Sequence, residues 1–119
     1  MTLTSSFRDT VKERIQEDAE FGDAVFREAI ELLLAGDVET GKAFLRDYIN
    51  ATIGFKSLGE GTHTSSKSLM RMFSEKGNPQ AKNLFAVISH LQTERGIHLE
   101  VKAPHKMRAR RSPGSPAAP

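Results

Sequence analysis

Polar and basic side chains cluster in one short stretch near the middle of the chain. Ser66, Lys67, Ser68 and Arg71 are spaced so that, on a helix, all four would face away from a small apolar core. Lysine and arginine can donate to guanine O6 and N7 or to a phosphate, and serine hydroxyls can bond several base edges. These residue types favour recognition of a nucleic acid over catalysis.

The surrounding sequence predicts the elements that must position these side chains. Short helices are expected at about 55–61 and 65–74, with a tight turn at 62–64 between them. The apolar residues expected to form a small core between the two helices are Leu58, Leu69, Met72 and Phe73. Two short helices, a tight turn and a following helix are the layout of a helix-turn-helix.

Three residues of this stretch have expected backbone roles. Gly59 supplies the smallest side chain where the two helices cross. His63 falls where the turn needs a left-handed backbone, a conformation that histidine tolerates better than most residues. Ser65 is expected to cap the second helix.

Further polar residues flank the two helices at positions suited to phosphate contacts. They are Lys56, Ser57, Lys76, Asn78 and Lys82. Met70 is either a contact for thymine methyl groups or a plain surface residue. A charged helix face is also common in helical proteins that bind no nucleic acid, so a plain helical domain remains an alternative.

The rest of the chain is predominantly helical in pattern. Apolar residues at helical spacing predict helices at about 5–17, 20–35, 38–52 and 79–94, with Asn78 and Pro79 as the start signal of the last one. We expect an N-terminal helical extension at 1–36, a helix-turn-helix domain at 37–96, a strand at 97–103 and a disordered, basic, proline-rich tail at 104–119.

The predicted strand is a single one. Ile97, Leu99 and Val101 alternate with polar residues, which is the pattern of a half-buried strand. Because one strand cannot satisfy its own edges, it needs a partner strand from a symmetry mate or from another protein.

Charge is distributed unevenly along the 119 residues, although the net charge is only +2. Residues 1–50 hold six basic and eleven acidic side chains, residues 51–103 seven and four, and residues 104–119 four and none. Acidic residues that could face a basic partner are Glu13, Glu17, Asp18, Glu20 and Asp23. Their alternative role is to keep two surface helices solvated.

Several classes of function lack their motifs. The chain has no cysteine, and its four histidines, His63, His90, His98 and His105, have no metal-ligand spacing. Phosphate-binding glycine loops and nucleophile elbows are missing, so we expect neither an enzyme nor a cofactor or metal site. No apolar run approaches the ~20 residues of a membrane span and no secretory signal opens the chain, which predicts a soluble cytoplasmic protein.

The stretch from about Asp37 to Leu91 resembles the phage-repressor, or Cro-like, helix-turn-helix family. The resemblance is carried by LGEGTHTSSKSLMRMFSEKGNPQAKNLFAVISHL, with Leu58-Gly59 where the family has Leu-Ala. LRDYINATIGF, KSLMRMF and GNPQAKNLFAVISHLQ are similar to the antidote proteins of HigA-type toxin–antitoxin modules. Together the resemblances cover most of residues 5–102.

The resemblance implies an all-α, five-helix repressor-like domain whose third helix enters the major groove. It implies a homodimer that binds double-stranded operator DNA, represses its own operon and neutralises a small ribonuclease toxin of the RelE/HigB type. The recognition positions carried over are Ser66, Lys67, Ser68 and Arg71. The alternative is a helix-turn-helix that serves as a protein-interaction module and binds no DNA.

Overall fold

In a computed structural model, residues 5–104 of the chain are described, with side chains from residue 8 onward. Over this range the chain forms six α-helices and no β-strand, which confirms the all-α class. The helices are α1 Ser5–Glu17, α2 Ala19–Leu34, α3 Val38–Ala51, α4 Gly54–Thr62, α5 Ser66–Met72 and α6 Ala81–Arg95. None of these six helices combines the length and apolar character needed to cross a membrane.

Helices α1, α2 and α3 pack against one another, and α2 and α3 share the most extensive contact. Asp18 caps α2 by accepting a hydrogen bond from the Phe21 N–H at 3.2 Å. At the centre of this half, the rings of Phe26 and Tyr48 stack with centroids 4.9 Å apart and an interplanar angle of 8°. Both side chains are fully buried. The first two helices therefore share a core with α3.

Helix α4 connects the two halves of the molecule, because it packs against α3, α5 and α6. Its inward face carries Phe55 and Leu58, which are both buried. Residues of all six helices join one hydrophobic cluster, whose buried members in the second half are Phe55, Leu58, Leu69, Phe73, Val87, Ile88 and Leu91. Among the six helices, the short helix α5 packs against α4, so α4 fixes its place.

The start of the last helix differs from its prediction. Asn78 and Pro79 were expected to begin it, but α6 begins at Ala81, with Gln80 as the N-cap. Gln80 has an extended backbone (φ −70°, ψ 147°), and its carbonyl oxygen accepts the first bond of the helix from the Leu84 N–H. Asn78 and Pro79 therefore lie in the loop between α5 and α6.

The strand predicted at residues 97–103 is not confirmed, since no strand is assigned among the described residues of this segment. A strand needs a pairing partner, and a single chain offers none here. The Ile97 N–H instead donates to the Gln92 carbonyl oxygen at 2.9 Å, and the Leu99 N–H to Gln92 Oε1 at 2.9 Å. The segment is therefore held against the end of α6. The predicted tail lies outside the described residues from residue 105 onward.

Candidate nucleic-acid interface

The connection between α4 and α5 has the tight geometry expected from the sequence. His63 adopts the left-handed conformation (φ 58°, ψ 39°), as predicted, and it is the only residue other than glycine with a positive φ in the part of the chain that the structure describes. The Thr64 N–H donates to the Gly59 carbonyl oxygen at 2.9 Å. The chain therefore reverses within three residues and enters α5 at once.

Gly59 lies where the two helices approach most closely. A Cβ atom there would meet the carbonyl oxygen of Thr64 and would lie 3.3 Å from the backbone nitrogen of Ser66. Since both neighbours are backbone atoms, they cannot move aside without shifting the turn. This is the crossing position predicted for Gly59, and it accounts for glycine at this site.

Ser65 caps α5 as predicted. Its Oγ accepts a hydrogen bond from the Ser68 N–H at 3.1 Å and donates one to Ser68 Oγ at 3.0 Å. Ser68 is half-buried, so its hydroxyl is turned toward the cap. Of the four predicted recognition residues, Ser68 is consequently the one already engaged within the protein.

The outward side of α5 is formed by three exposed residues, Lys67, Met70 and Arg71, which we call the α5 stripe. Their spacing of three and four residues places them side by side on the helix, while Leu69 on the opposite side is buried. Met70 is 51% exposed. The α5 stripe therefore offers two cationic groups around an accessible thioether.

The flanking residues fall at both ends of α5. Lys56 and Ser66 line the same shallow groove of ≈ 360 Å³ beside the turn, so the structure brings these two predicted residues together. Ser57 is exposed on α4, next in sequence to Lys56. Lys76, Asn78 and Lys82 are exposed in the loop after α5 and in the first turn of α6. No hydrogen bond or ion pair joins these three to the α5 stripe among the described residues.

Two cations of α3 fix the far end of α5, and sequence reasoning did not identify them. Arg46 Nη1 donates to the Phe73 carbonyl oxygen at 3.2 Å, and Lys42 Nζ donates to that of Gly77 at 2.7 Å. Lys42 is only 2% exposed and also lies 3.5 Å from a carboxylate oxygen of Glu39. Their spacing of four residues, on the face of α3 that also carries Leu45, is the sequence signal that could have indicated them.

A cleft of ≈ 770 Å³ lies behind this end of α5, between α3 and the loop after α5, and Arg8 of α1 also lines it. Asp47 lies in its wall, 4.0 Å from Arg8 Nε. Burial raises the pKa of Asp47, and the nearby guanidinium groups of Arg8 and Arg46 oppose that rise. Since Arg8 pairs with Asp47, and Lys42 and Arg46 donate to backbone carbonyl groups, this cleft supports the fold around α5.

The described residues contain no group of three side chains that could hold a metal ion. His90 lies on α6, where its Nε2 is 4.0 Å from Glu94 Oε1 and its ring lies over Gly61. It therefore belongs to the contact between α4 and α6.

Comparison with known proteins finds no matching family model, no matching curated protein and no matching solved structure.

Proposed function

We propose that this chain is a sequence-specific DNA-binding transcription regulator that places α5 in the major groove. In this proposal α4 and α5 form the helix-turn-helix of a repressor-like domain, to which residues 37–96 contribute the four helices α3 to α6. The observation that carries the proposal is the α5 stripe, in which Lys67 and Arg71 project from a short helix held at both ends. Ser65 caps its start, and side chains of α3 bind the carbonyl oxygen of its C-cap residue Phe73 and that of Gly77 in the loop that follows.

Rigid display matters for this function because base recognition depends on geometry. A lysine or arginine that reads guanine must reach O6 and N7 within hydrogen-bond distance, and each good bidentate contact is worth roughly 1–3 kcal/mol against the wrong base. A helix free to tilt would lose much of that discrimination. The Ser65 cap and the hydrogen bonds from α3 give α5 the fixed position that base recognition requires.

We further propose that the protein is a cytoplasmic homodimer acting as the antitoxin of a toxin–antitoxin module. In this role it represses its own operon and neutralises a small basic ribonuclease toxin. The support is electrostatic: Glu13, Glu17, Asp18, Glu20 and Asp23 are all exposed around the junction of α1 and α2. An acidic surface of this kind attracts a protein whose own surface is basic because it handles RNA.

Binding of the full chain to the DNA upstream of its own gene tests the first proposal. Lys67→Ala and Arg71→Ala should each weaken binding by roughly 1–3 kcal/mol at constant salt. Lys12→Ala is the matched control, because Lys12 is exposed on α1 and distant in sequence from α5. If all three variants bind as tightly as the parent protein, α5 does not read the DNA.

Charge reversal on the full chain tests the antitoxin proposal. Glu13→Lys, Glu17→Lys and Glu20→Lys together should weaken capture of the protein encoded beside this gene, and the effect should shrink at high salt. Glu94→Lys is the control, since Glu94 is exposed on α6. Unchanged capture by the triple variant would refute a role for this acidic surface.

The second candidate function is a protein-interaction module that binds no DNA. The exposed thioether of Met70 favours it, because accessible methionine side chains adapt well to protein surfaces. The salt dependence of binding distinguishes the two functions. Contacts to DNA phosphates release counterions, so the logarithm of the association constant falls steeply with the logarithm of the salt concentration.

A further inference from the structure

The segment after α6 has the burial pattern of an extended chain. Ile97 and Leu99 are half-buried against the core, whereas His98 and Glu100 between them are exposed. Val101, next in the apolar series, is 77% exposed. One face of the segment is therefore apolar, and only part of it is covered by the chain itself.

The backbone N–H groups of the segment differ in whether they are hydrogen-bonded. The Ile97 and Leu99 N–H groups bond to Gln92 at the end of α6. In an extended chain, successive N–H groups point to opposite edges. The N–H groups of residues 98, 100 and 102 make no hydrogen bond within the described residues, and in an extended chain they belong to the edge opposite that of the Ile97 and Leu99 N–H groups.

An apolar groove lies beside this segment. A groove of ≈ 430 Å³ separates α2 from the segment, and its apolar wall includes Ile30, Leu34, Leu99 and Val101. Leu34 is 64% exposed. Large apolar side chains exposed together beside an unpaired edge are the features of a surface that a further strand covers.

We propose that residues 97–101 pair with the same residues of a second copy of this chain, as an antiparallel two-stranded ribbon whose two-fold axis passes through Leu99. In this register Leu99 faces its own twin and Ile97 faces Val101, so apolar residues meet on one face. On the other face His98 lies opposite Glu100, a pair of complementary charge when the imidazole is protonated. Residues 98 and 100 exchange the backbone hydrogen bonds, using the edge that is free.

Other registers satisfy fewer groups. An axis at Glu100 places two carboxylates directly opposite each other, which sets like charges together. An axis at Val101 leaves Ile97 without a partner and brings Pro104, which has no N–H, into the ladder. A slip by one residue sets apolar side chains against polar ones. Of these registers, the one about Leu99 pairs Ile97, Leu99 and Val101 with one another and sets no like charges opposite each other.

This ribbon supplies the second copy that the proposed function needs, because a two-fold dimer matches the two halves of a palindromic operator. The inference rests on the proposed function only in that respect. It is tested without DNA, so a failure of the ribbon and a failure of DNA binding give different results.

Introduced cysteines provide the test, because the chain has none of its own. At the axis, Leu99→Cys faces its twin across a non-hydrogen-bonded pair, where Cα atoms are about 4.5 Å apart, within the range that a disulfide spans. Val101→Cys is more exposed, yet its twin would be four residues out of register, roughly 13 Å away along the strand. Phe85 is 62% exposed on α6, so Phe85→Cys would cross-link quickly only in a dimer whose contact surface includes α6.

Under mild oxidation, Leu99→Cys should form covalent dimers faster than Val101→Cys and Phe85→Cys. Faster cross-linking of Val101→Cys would overturn the register, and faster cross-linking of Phe85→Cys would move the contact to α6. Equal, slow cross-linking of all three would overturn the ribbon.

Two further measurements avoid the partly buried Leu99. Mixed His98→Cys and Glu100→Cys chains, both altered at exposed positions, should form the mixed disulfide in preference to either symmetric one. Glu100→Pro removes an N–H from the free edge and should weaken self-association at least roughly tenfold in sedimentation equilibrium. Ala103→Pro, beyond the ladder, should leave self-association unchanged. No preference for the mixed disulfide, or equal association of the two proline variants, would refute the pairing.

Discussion

The side-chain amine of Lys42 lies 2.7 Å from the carbonyl oxygen of Gly77 and donates a hydrogen bond that joins α3 to the loop after α5. One turn further along α3, Arg46 makes the equivalent bond to the carbonyl oxygen of Phe73. These two contacts cross 35 and 27 residues of sequence. They make the position of the candidate reading helix depend on a helix that bears none of the predicted recognition residues.

Lys42→Met should destabilise the protein. The substitution keeps the apolar stem but leaves the Gly77 carbonyl oxygen without its donor, which costs roughly 1–3 kcal/mol of unfolding free energy. Urea denaturation measures the change. Lys12→Met, at an exposed lysine of α1, is the control and should change stability much less. Equal effects of the two substitutions would mean that the bond contributes nothing specific.

The same substitution should weaken DNA binding beyond its effect on stability. If Lys42 holds α5 in place, Lys42→Met lowers affinity for the upstream DNA at temperatures where the variant is fully folded, although Lys42 is too buried to touch DNA. Circular dichroism establishes the folded state before each titration. An unchanged affinity would show that the hydrogen bond from Lys42 to Gly77 does not position α5 for DNA binding.

His63→Gly should stabilise the protein slightly. The left-handed conformation costs a non-glycine residue about 1–2 kcal/mol, while the added freedom of glycine in the unfolded chain costs about 0.5–1 kcal/mol. We therefore expect a net gain of between about 0 and 1.5 kcal/mol in the free energy of unfolding, measured by chemical denaturation. His63→Val should lose stability, because a β-branched residue tolerates this conformation poorly. The opposite order of the two variants would contradict the role of the turn.

Gly59→Ala should change the stability of the protein more than His63→Gly does. Its Cβ would press on backbone atoms of Thr64 and Ser66, and overpacking of this kind typically costs about 1–3 kcal/mol. Ser57→Ala, at an exposed position of the same helix, should be neutral or mildly stabilising. Thermal unfolding followed at 222 nm (the usual helix signal) compares the two, and similar melting temperatures would show that the crossing can relax.

Met70→Ala should lower DNA specificity. If Met70 contacts a thymine methyl group, replacing that thymine by uracil costs the parent protein about 0.8 kcal/mol per buried methyl and costs the variant nothing. Footprinting first locates the half-site, and titrations then form a double-mutant cycle over its thymines. Leu34→Ala, at another exposed apolar residue, is the control. If no thymine of the half-site shows coupling to Met70, the side chain does not contact DNA, and a contact with a protein is favoured instead.

Local chemistry explains which features the sequence could predict. The cap at Ser65 and the left-handed turn at His63 depend on residues within a few positions of each other, so their types were informative. The buried amine of Lys42 depends on a loop 35 residues away, and a lysine is otherwise expected in solvent. The alternation at Ile97, Leu99 and Val101 matches the alternating burial of residues 97–100, but the predicted strand is not confirmed, because strand formation depends on a partner that one chain does not supply.

Asp47 should give the stability of the protein a measurable pH dependence. Burial raises its pKa above the ordinary value of 3.8, and Arg8 and Arg46 lower it by smaller amounts. A carboxyl group that is harder to ionise in the folded chain contributes stability that is fully present below pH 3.8 and is lost as pH rises through the folded-state pKa. The stability of the parent protein relative to Asp47→Asn should therefore fall from acidic toward neutral pH in urea denaturation.

Arg8→Gln sharpens that test, because it removes one of the cations that favour the ionised carboxylate. The pKa of Asp47 should then rise further, so the loss of stability becomes larger and extends to higher pH. In the Asp47→Asn background the same Arg8→Gln substitution should produce no such pH dependence. If it does, the dependence comes from another group, and the 4.0 Å contact between Arg8 and Asp47 has no part in it.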